Sequence, residues 1–216
     1  MGDLDRIARA AGAEHLAILG GLHPEPQDDL GNAGTLLLLG PAEPGFWRHF
    51  TAQPEWRDGA PDPLDRWSAR VVGALADAFG GAAHFPFGGP PYRPFYSWAR
   101  RSGRAWASPV TLLVHDSAGL MVSYRGALAL PGRLNLPAPP AAPCGSCAEK
   151  PCLTACPAGA LTAAGYDVPA CHAFLDGPDG TGCLSRGCAV RRACPVSQSY
   201  ARVAEQSAYH MGLFHR

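Results

Sequence analysis

The sequence lacks an excess of either charge, a long apolar run and a basic leader. Lys plus Arg and Asp plus Glu number 18 each, which argues against a broad surface for nucleic acid or anionic membrane. The longest aliphatic runs, such as residues 36–39, are far too short to span a bilayer. No basic start followed by an apolar stretch marks a secretory signal. These absences predict a cytoplasmic protein with neither a nucleic-acid nor a membrane partner.

Several familiar catalytic patterns are missing as well. The eight histidines are scattered and form neither an HxH nor an HExxH pattern, so a separate mononuclear metal site has little support. The glycine-rich stretches match no phosphate-binding loop, and no Ser-His-Asp signature occurs. Catalytic residues are therefore not identifiable from the sequence, and the balance favours a protein that is not itself an enzyme.

Residues 1–130 contain no cysteine and have the pattern of an α/β (α+β) domain. Apolar periodicity and flanking glycines predict helices and buried strands: helices over 3–11, 63–79 and 94–101, and strands over 15–19 and 35–39. A β-hairpin is predicted from 111–115 and 119–124, joined by Asp116-Ser117-Ala118.

A proline-rich stretch separates this domain from the cysteines. Residues 131–143 hold five prolines and one glycine, which cannot continue a sheet or a helix. The predicted architecture is an N-terminal α/β domain over 1–130, a connection over 131–143, and a small ferredoxin-like domain over 144–216. A last helix over 199–214 is expected to fold back onto the body.

All eight cysteines lie in the last third of the chain, in two groups that each end in Cys-Pro. The first group is Cys144-x2-Cys147-x4-Cys152-x3-Cys156-Pro157, and the second is Cys171 followed by Cys183-x4-Cys188-x5-Cys194-Pro195. Eight thiolates make two sets of four, and each [4Fe–4S] cluster takes four. The predicted cofactors are therefore two [4Fe–4S] clusters.

The Cys-Pro steps predict how the ligands are shared. Three ligands can come from one tight loop, whereas the fourth must come from elsewhere, and proline after it turns the chain away. In two-cluster ferredoxins the Cys-Pro cysteine of one group ligates the other cluster. Applied to this chain, the rule gives two ligand sets: Cys144, Cys147, Cys152 and Cys194 for cluster 1, and Cys156, Cys171, Cys183 and Cys188 for cluster 2.

Other interpretations of the cysteines stay open. A zinc-stabilised binding module normally pairs two CxxC knuckles, and this chain has one. A disulfide framework needs an oxidising compartment, which no signal indicates. The isolated Cys171 could be a buried thiol, although cluster 2 would then have three ligands. Its neighbour His172 is a candidate donor to a cluster sulfur.

Arginines crowd the second cysteine group. Arg186, Arg191 and Arg192 lie close to it in sequence, and positive charge near a cluster favours its reduced state. They could also dock an acidic redox partner, although the sequence does not identify that partner.

Several motifs resemble epoxyqueuosine reductases. Residues 144–147, CGSC, match the opening of the family's ferredoxin-like domain, and residues 156–161, CPAGAL, are similar to its CPTGAI. Residues 103–115 are similar to its GLGW-x-GKNTLLIH stretch. The resemblance implies that Cys171 ligates the second cluster, that the two Cys-Pro cysteines cross over, and that the N-terminal domain could bind cobalamin.

The chain departs from that family at three points. Residues 87–91, FGGPP, hold no carboxylate where the family has its catalytic aspartate, and Ser108 and Pro109 replace a lysine and an asparagine. The family's C-terminal repeat extension, which helps to hold tRNA, does not follow residue 216. Electron transfer is therefore the expected function, with a cobalamin-dependent reductase as the alternative.

Overall fold

The structure, a computed structural model, describes residues 2–216 and divides into two compact units. Unit 1 runs up to Arg104 and includes Ser123–Pro139, whereas unit 2 combines Ala105–Val122 with Pro140–Arg216. Sequence analysis assigned 105–122 to the N-terminal domain. In the structure these residues belong to the unit that contains the cysteines.

Both units mix helices with short strands. The strands are β1 Leu16–Leu22, β2 Thr35–Pro41, β3 Ala82–His84, β4 Ala105–Ala107, β5 Leu113–His115, β6 Gly126–Leu130, β7 Leu161–Thr162 and β8 Gly165–Tyr166. The α-helices are α1 Asp3–Ala13, α2 Phe46–Thr51, α3 Pro54–Arg57, α4 Pro63–Ala78, α5 Phe95–Arg101, α6 Pro143–Ser146, α7 Val168–Asp176, α8 Thr181–Arg186, α9 Ala189–Ala193, α10 Pro195–Tyr200 and α11 Ala204–Phe214. Short 3₁₀ turns cover Pro26–Asp28, Pro151–Leu153 and Pro178–Gly180. Across residues 2–216, no helix has the length and apolar character needed to cross a bilayer.

Unit 1 is built on a four-stranded sheet in the order β1-β2-β6-β3, with every neighbouring pair antiparallel. Strand β2 is buried along its whole length, as expected of the continuous apolar run Leu36–Leu39. The predicted mixed α and β composition is confirmed, and its sheets are small and antiparallel.

Helix α4 covers this sheet by packing on β3 and β6. Its apolar residues recur at helical spacing, and Trp67 and Val71 are buried. The Trp67 ring meets the rings of Phe46 and Phe50 edge-on, at centroid distances of 5.4 and 5.8 Å. The predicted helix over 63–79 is confirmed to within one residue.

The predicted hairpin of 111–115 with 119–124 is wrong. Strand β5 pairs with β4, and only an isolated bridge joins His115 to Gly119. The His115 imidazole explains the difference, because its Nδ1 accepts a hydrogen bond from the backbone N–H of Ser117 at 3.1 Å. Met121 N–H then donates to the Ala118 carbonyl at 3.0 Å, so the chain curls where an extended strand was expected.

The predicted helix over 199–214 is two helices. Helix α10 ends at Tyr200, the next residue Ala201 has a left-handed φ of 59°, and α11 begins at Ala204. A left-handed residue cannot continue a right-handed helix, so the chain changes direction there. Helix α11 packs against α8.

Candidate functional site

Four cysteines line one cavity in unit 2. The cavity has a volume of about 340 Å³, and its walls include the cysteines predicted for cluster 1: Cys144, Cys147, Cys152 and Cys194. We call these residues the first thiol set. They reach the cavity from separate parts of the chain, because Cys194 lies 42 residues beyond Cys152 in sequence.

Prolines begin the short elements that carry the first thiol set. Pro143 and Pro151 occupy the first turn of α6 and of the following 3₁₀ turn, and Pro195 occupies the first turn of α10. Proline is favoured there because its fixed φ suits a helix start and its missing N–H costs nothing. Each cysteine of the first thiol set therefore lies in or beside a short helix.

The charges of the first thiol set act on one another. Burial raises the pKa of the Cys144 thiol, and the neighbouring thiolates of Cys152, Cys194 and Cys147 raise it further. Burial also raises the pKa of Cys152, with Cys194 as its strongest thiolate neighbour. Thiolates gathered in this way repel one another, and a bound cation removes that repulsion.

The other four cysteines form a second thiol set, comprising Cys156, Cys171, Cys183 and Cys188. Burial raises the pKa of Cys171, and the thiolates of Cys188, Cys156 and Cys183 contribute in the same direction. Cys171 therefore has the other three members as its charged neighbours. Helices α7 and α8 carry Cys171 and Cys183, and Cys188 is the residue that precedes α9.

A tyrosine and an arginine adjoin the second thiol set. The Tyr166 hydroxyl donates to Cys171 Sγ at 3.3 Å, and burial and this bond raise the pKa of Tyr166. Burial lowers the pKa of Arg191, whereas the Cys188 thiolate opposes that change. The guanidinium nevertheless stays protonated in a protein, so a positive charge lies beside this set.

His172 contacts residues near the C-terminus of the chain. Its Nδ1 lies 2.7 Å from Nδ1 of His215, and its ring stacks on Phe214 at 4.6 Å. The Nε2 atom of His215 lies 3.1 Å from an Asp176 oxygen. His172 thus belongs to a stack with the C-terminal residues, whereas Tyr166 donates a hydrogen bond to the Cys171 thiol.

Sequence reasoning missed the contribution of residues 105–122 to this site. Ser108, Pro109, Val114 and Leu120 all line the cavity of the first thiol set. The spacing of the cysteines predicts one continuous domain that begins near Cys144. It does not indicate that residues 105–122 belong to the site, because they precede Cys144 by more than 20 positions.

The backbone around Leu120 fixes this segment against the cysteine loops. Leu120 N–H donates to Ser197 Oγ at 2.8 Å, and its carbonyl accepts from Arg191 Nη1. Gly119 permits the approach, since a β-carbon there would lie 2.4 Å from the Ser197 nitrogen. These hydrogen bonds thereby connect the segment around Leu120 to the segment that contains Arg191 and Ser197.

The arrangement suits a multinuclear cluster in ligand chemistry. Four thiols line one cavity, and four thiolates are what a [4Fe–4S] cluster takes. Within residues 2–216, no three Cys, His, Asp or Glu side chains are grouped to hold a metal ion.

All eight cysteines are free thiols in the part of the chain that the structure describes. The residues present therefore keep their full capacity to act as metal ligands. Neither a protein-family model, nor a curated protein, nor a solved structure matches this chain. Functional inference accordingly depends on the residues of the site.

Proposed function

We propose that this protein is an electron carrier in which each thiol set holds one [4Fe–4S] cluster. The observation that carries the proposal is that the four members of the first thiol set line one cavity. In the proposed partition each set takes the Cys-Pro cysteine of the other sequence group, Cys194 in the first and Cys156 in the second, and the electrostatic neighbours of Cys144 and Cys171 agree with it. When bound, a [4Fe–4S] cluster supplies one-electron redox chemistry.

The sequence keeps the two sets close together. Cys152 and Cys156 belong to different sets but are four residues apart, so their Cα atoms are separated by at most about 14 Å. Cys188 and Cys194 are six residues apart, which limits their Cα separation to about 22 Å. Short separations of this kind favour hand-off of an electron between two centres.

The surrounding residues have roles that suit redox centres. Val114 and Leu120 give the first cavity apolar walls, which restrict water and lower the local dielectric. Beside the second set, the Tyr166 hydroxyl and the Arg191 charge favour a more negative, reduced centre. Hydrogen bonds to sulfur and nearby charge are the means by which proteins adjust cluster potentials.

Anaerobic purification or reconstitution, followed by metal, sulfide and spectroscopic analysis, tests the proposal. We expect about eight irons and eight sulfides per chain, with visible absorption that bleaches on reduction. Two zinc ions in place of iron would contradict both the electron carrier and the cobalamin-dependent reductase. A tightly bound corrinoid, seen by its own absorption bands after reconstitution, would instead favour the cobalamin-dependent reductase.

A further inference from the structure

Ser108 is one of the residues that line the cavity of the first thiol set, and its hydroxyl is buried. The residue is 8% exposed, and its Oγ has no hydrogen-bond partner in the structure of residues 2–216. A buried hydroxyl without a partner costs free energy, and buried polar groups in native proteins are nearly always satisfied. The position therefore indicates a partner that comes from outside the polypeptide.

The backbone holds Ser108 in place. It begins the turn between β4 and β5, where its N–H donates to the Leu112 carbonyl at 2.8 Å and its carbonyl accepts from Thr111 N–H at 3.0 Å. Thr111 has a φ of 65°, which is rare and strained for a β-branched residue. Both backbone groups of Ser108 are thus engaged, and only the hydroxyl is left over.

The chemistry of the cavity limits what this hydroxyl can meet. Besides the four thiols, the cavity wall includes the apolar side chains of Val114 and Leu120 and the polar side chains of Ser146, Glu149 and Lys150, and none of these bonds to the Ser108 hydroxyl. A hydroxyl is a donor as well as an acceptor, and thiolate and sulfide sulfurs of a bound cluster are acceptors. The cavity's expected contents therefore match the missing partner.

We propose that the Ser108 hydroxyl donates a hydrogen bond to a sulfur of the cluster held by the first thiol set, and thereby raises its reduction potential. This inference rests on the proposed function. Reduction adds negative charge to the sulfurs, so a donor aimed at them stabilises the reduced state more than the oxidised state. Tyr166 has the corresponding position at Cys171 of the second set.

Redox titration of Ser108→Ala, monitored by electron paramagnetic resonance, tests this role. We expect the equilibrium constant for reduction of one cluster to fall about tenfold, which is 59 mV for one electron, while the other cluster is unchanged. Ser199→Ala is the matched control. Ser199 is exposed on α10 of the same unit, and its hydroxyl donates to the Pro195 carbonyl at 3.3 Å, so its removal should leave both potentials unchanged.

Iron and sulfide analysis separates failure of this inference from failure of the proposed function. A wild-type protein that assembles no clusters would overturn the proposed function, and this inference with it. Two intact clusters with an unchanged potential in Ser108→Ala would overturn the inference alone.

A second pair of variants tests the same role if Ser108→Ala loses a cluster. Ser108→Thr and Ser108→Val have similar shapes and differ by the hydroxyl. We expect the threonine variant to keep the wild-type potential, and the valine variant to show the lowered potential or to lose one cluster. Equal behaviour of the two variants would show that Ser108 acts through packing and would overturn the hydrogen-bond role.

Discussion

The assignment of Cys194 to the first thiol set leads to a sharp test with a double substitution. Cys194 follows Cys183 and Cys188 in sequence, yet it is the strongest thiolate neighbour of Cys152. If Cys152 and Cys194 serve one cluster, removing either should abolish that cluster, and removing both should abolish nothing more. Effects of residues that act on one unit do not add.

The magnitudes follow from the cluster stoichiometry. Cys152→Ala and Cys194→Ala should each retain about four of eight irons, and the double variant should also retain about four. Cys152→Ala combined with Cys188→Ala removes one ligand from each thiol set and should retain none. This second pair is the matched control, because it also removes two cysteines from the same unit.

The assay is iron and sulfide content per chain after anaerobic reconstitution, supported by the resonance signal of the reduced protein. A Cys152→Ala, Cys194→Ala protein without iron, alongside single variants that each keep four irons, would refute the crossed assignment. Consecutive grouping, in which Cys194 joins Cys183 and Cys188, predicts that result.

Two further predictions concern stability. Gly119→Ala should lower the free energy of unfolding, measured by chemical denaturation, by about 1–3 kcal/mol. The reason is that Gly119 has a φ of 56° and a β-carbon would lie 2.4 Å from Ser197 N. Gly132→Ala is the control and should show little change, because Gly132 has open space around it. Asp28→Asn should cost about 1–3 kcal/mol at neutral pH, because the buried carboxylate accepts from Arg101 at 2.6 Å. Burial raises the pKa of Asp28, but the hydrogen bond from Arg101, together with the others, leaves it lowered. The carboxylate of Asp28 should therefore contribute its full stabilisation above about pH 4 and lose it as the pH falls further. A difference in the free energy of unfolding between the wild type and Asp28→Asn that stays unchanged at lower pH would contradict this.

Three helices and two strands of unit 1, namely α1, α4, α5, β1 and β2, were predictable because local patterns determine them, whereas α2, α3, β3 and β6 were not predicted. Leu36–Leu39 form an uninterrupted apolar run and lie in a buried strand. Helix α4 has apolar residues at helical spacing and ends before Gly80, whose φ is 64°. Such signals depend on neighbours within a few residues, and no distant contact overrides them here.

The route of residues 105–122 was not predictable from local pattern. The apolar stretches around Asp116 resemble two strands of a hairpin, but a side chain prevents that pairing. His115 accepts hydrogen bonds from the backbone of the turn. The stretch then packs through Leu120 on Ser197 and Arg191, which lie more than 70 positions later. The apolar periodicity of one segment does not indicate which residues it contacts at such a separation in sequence.

The thiol sets stand between these two cases. Counting cysteines and Cys-Pro steps predicted which residues share a set, because a four-iron cluster needs four ligands and a crossed connection. The same reasoning could not find Ser108, since a serine has no sequence signature until its burial and its missing partner are known. A buried hydroxyl without a partner is therefore found by geometry, whereas candidate ligands are found by spacing.

The apolar core of unit 2 and its ligand sites are the same region of the molecule. Cys152 is buried in a core with Val110, Val114, Leu120 and Val190, and further cysteines pack against it. Unit 1, by contrast, buries large rings such as Trp67 without any thiol. Thiolates in an apolar core repel one another and are costly to bury unless a cation pairs with them. Metal binding and folding are coupled when ligands lie in the core, so cluster assembly is expected to stabilise unit 2, whereas unit 1 draws on a core of its own.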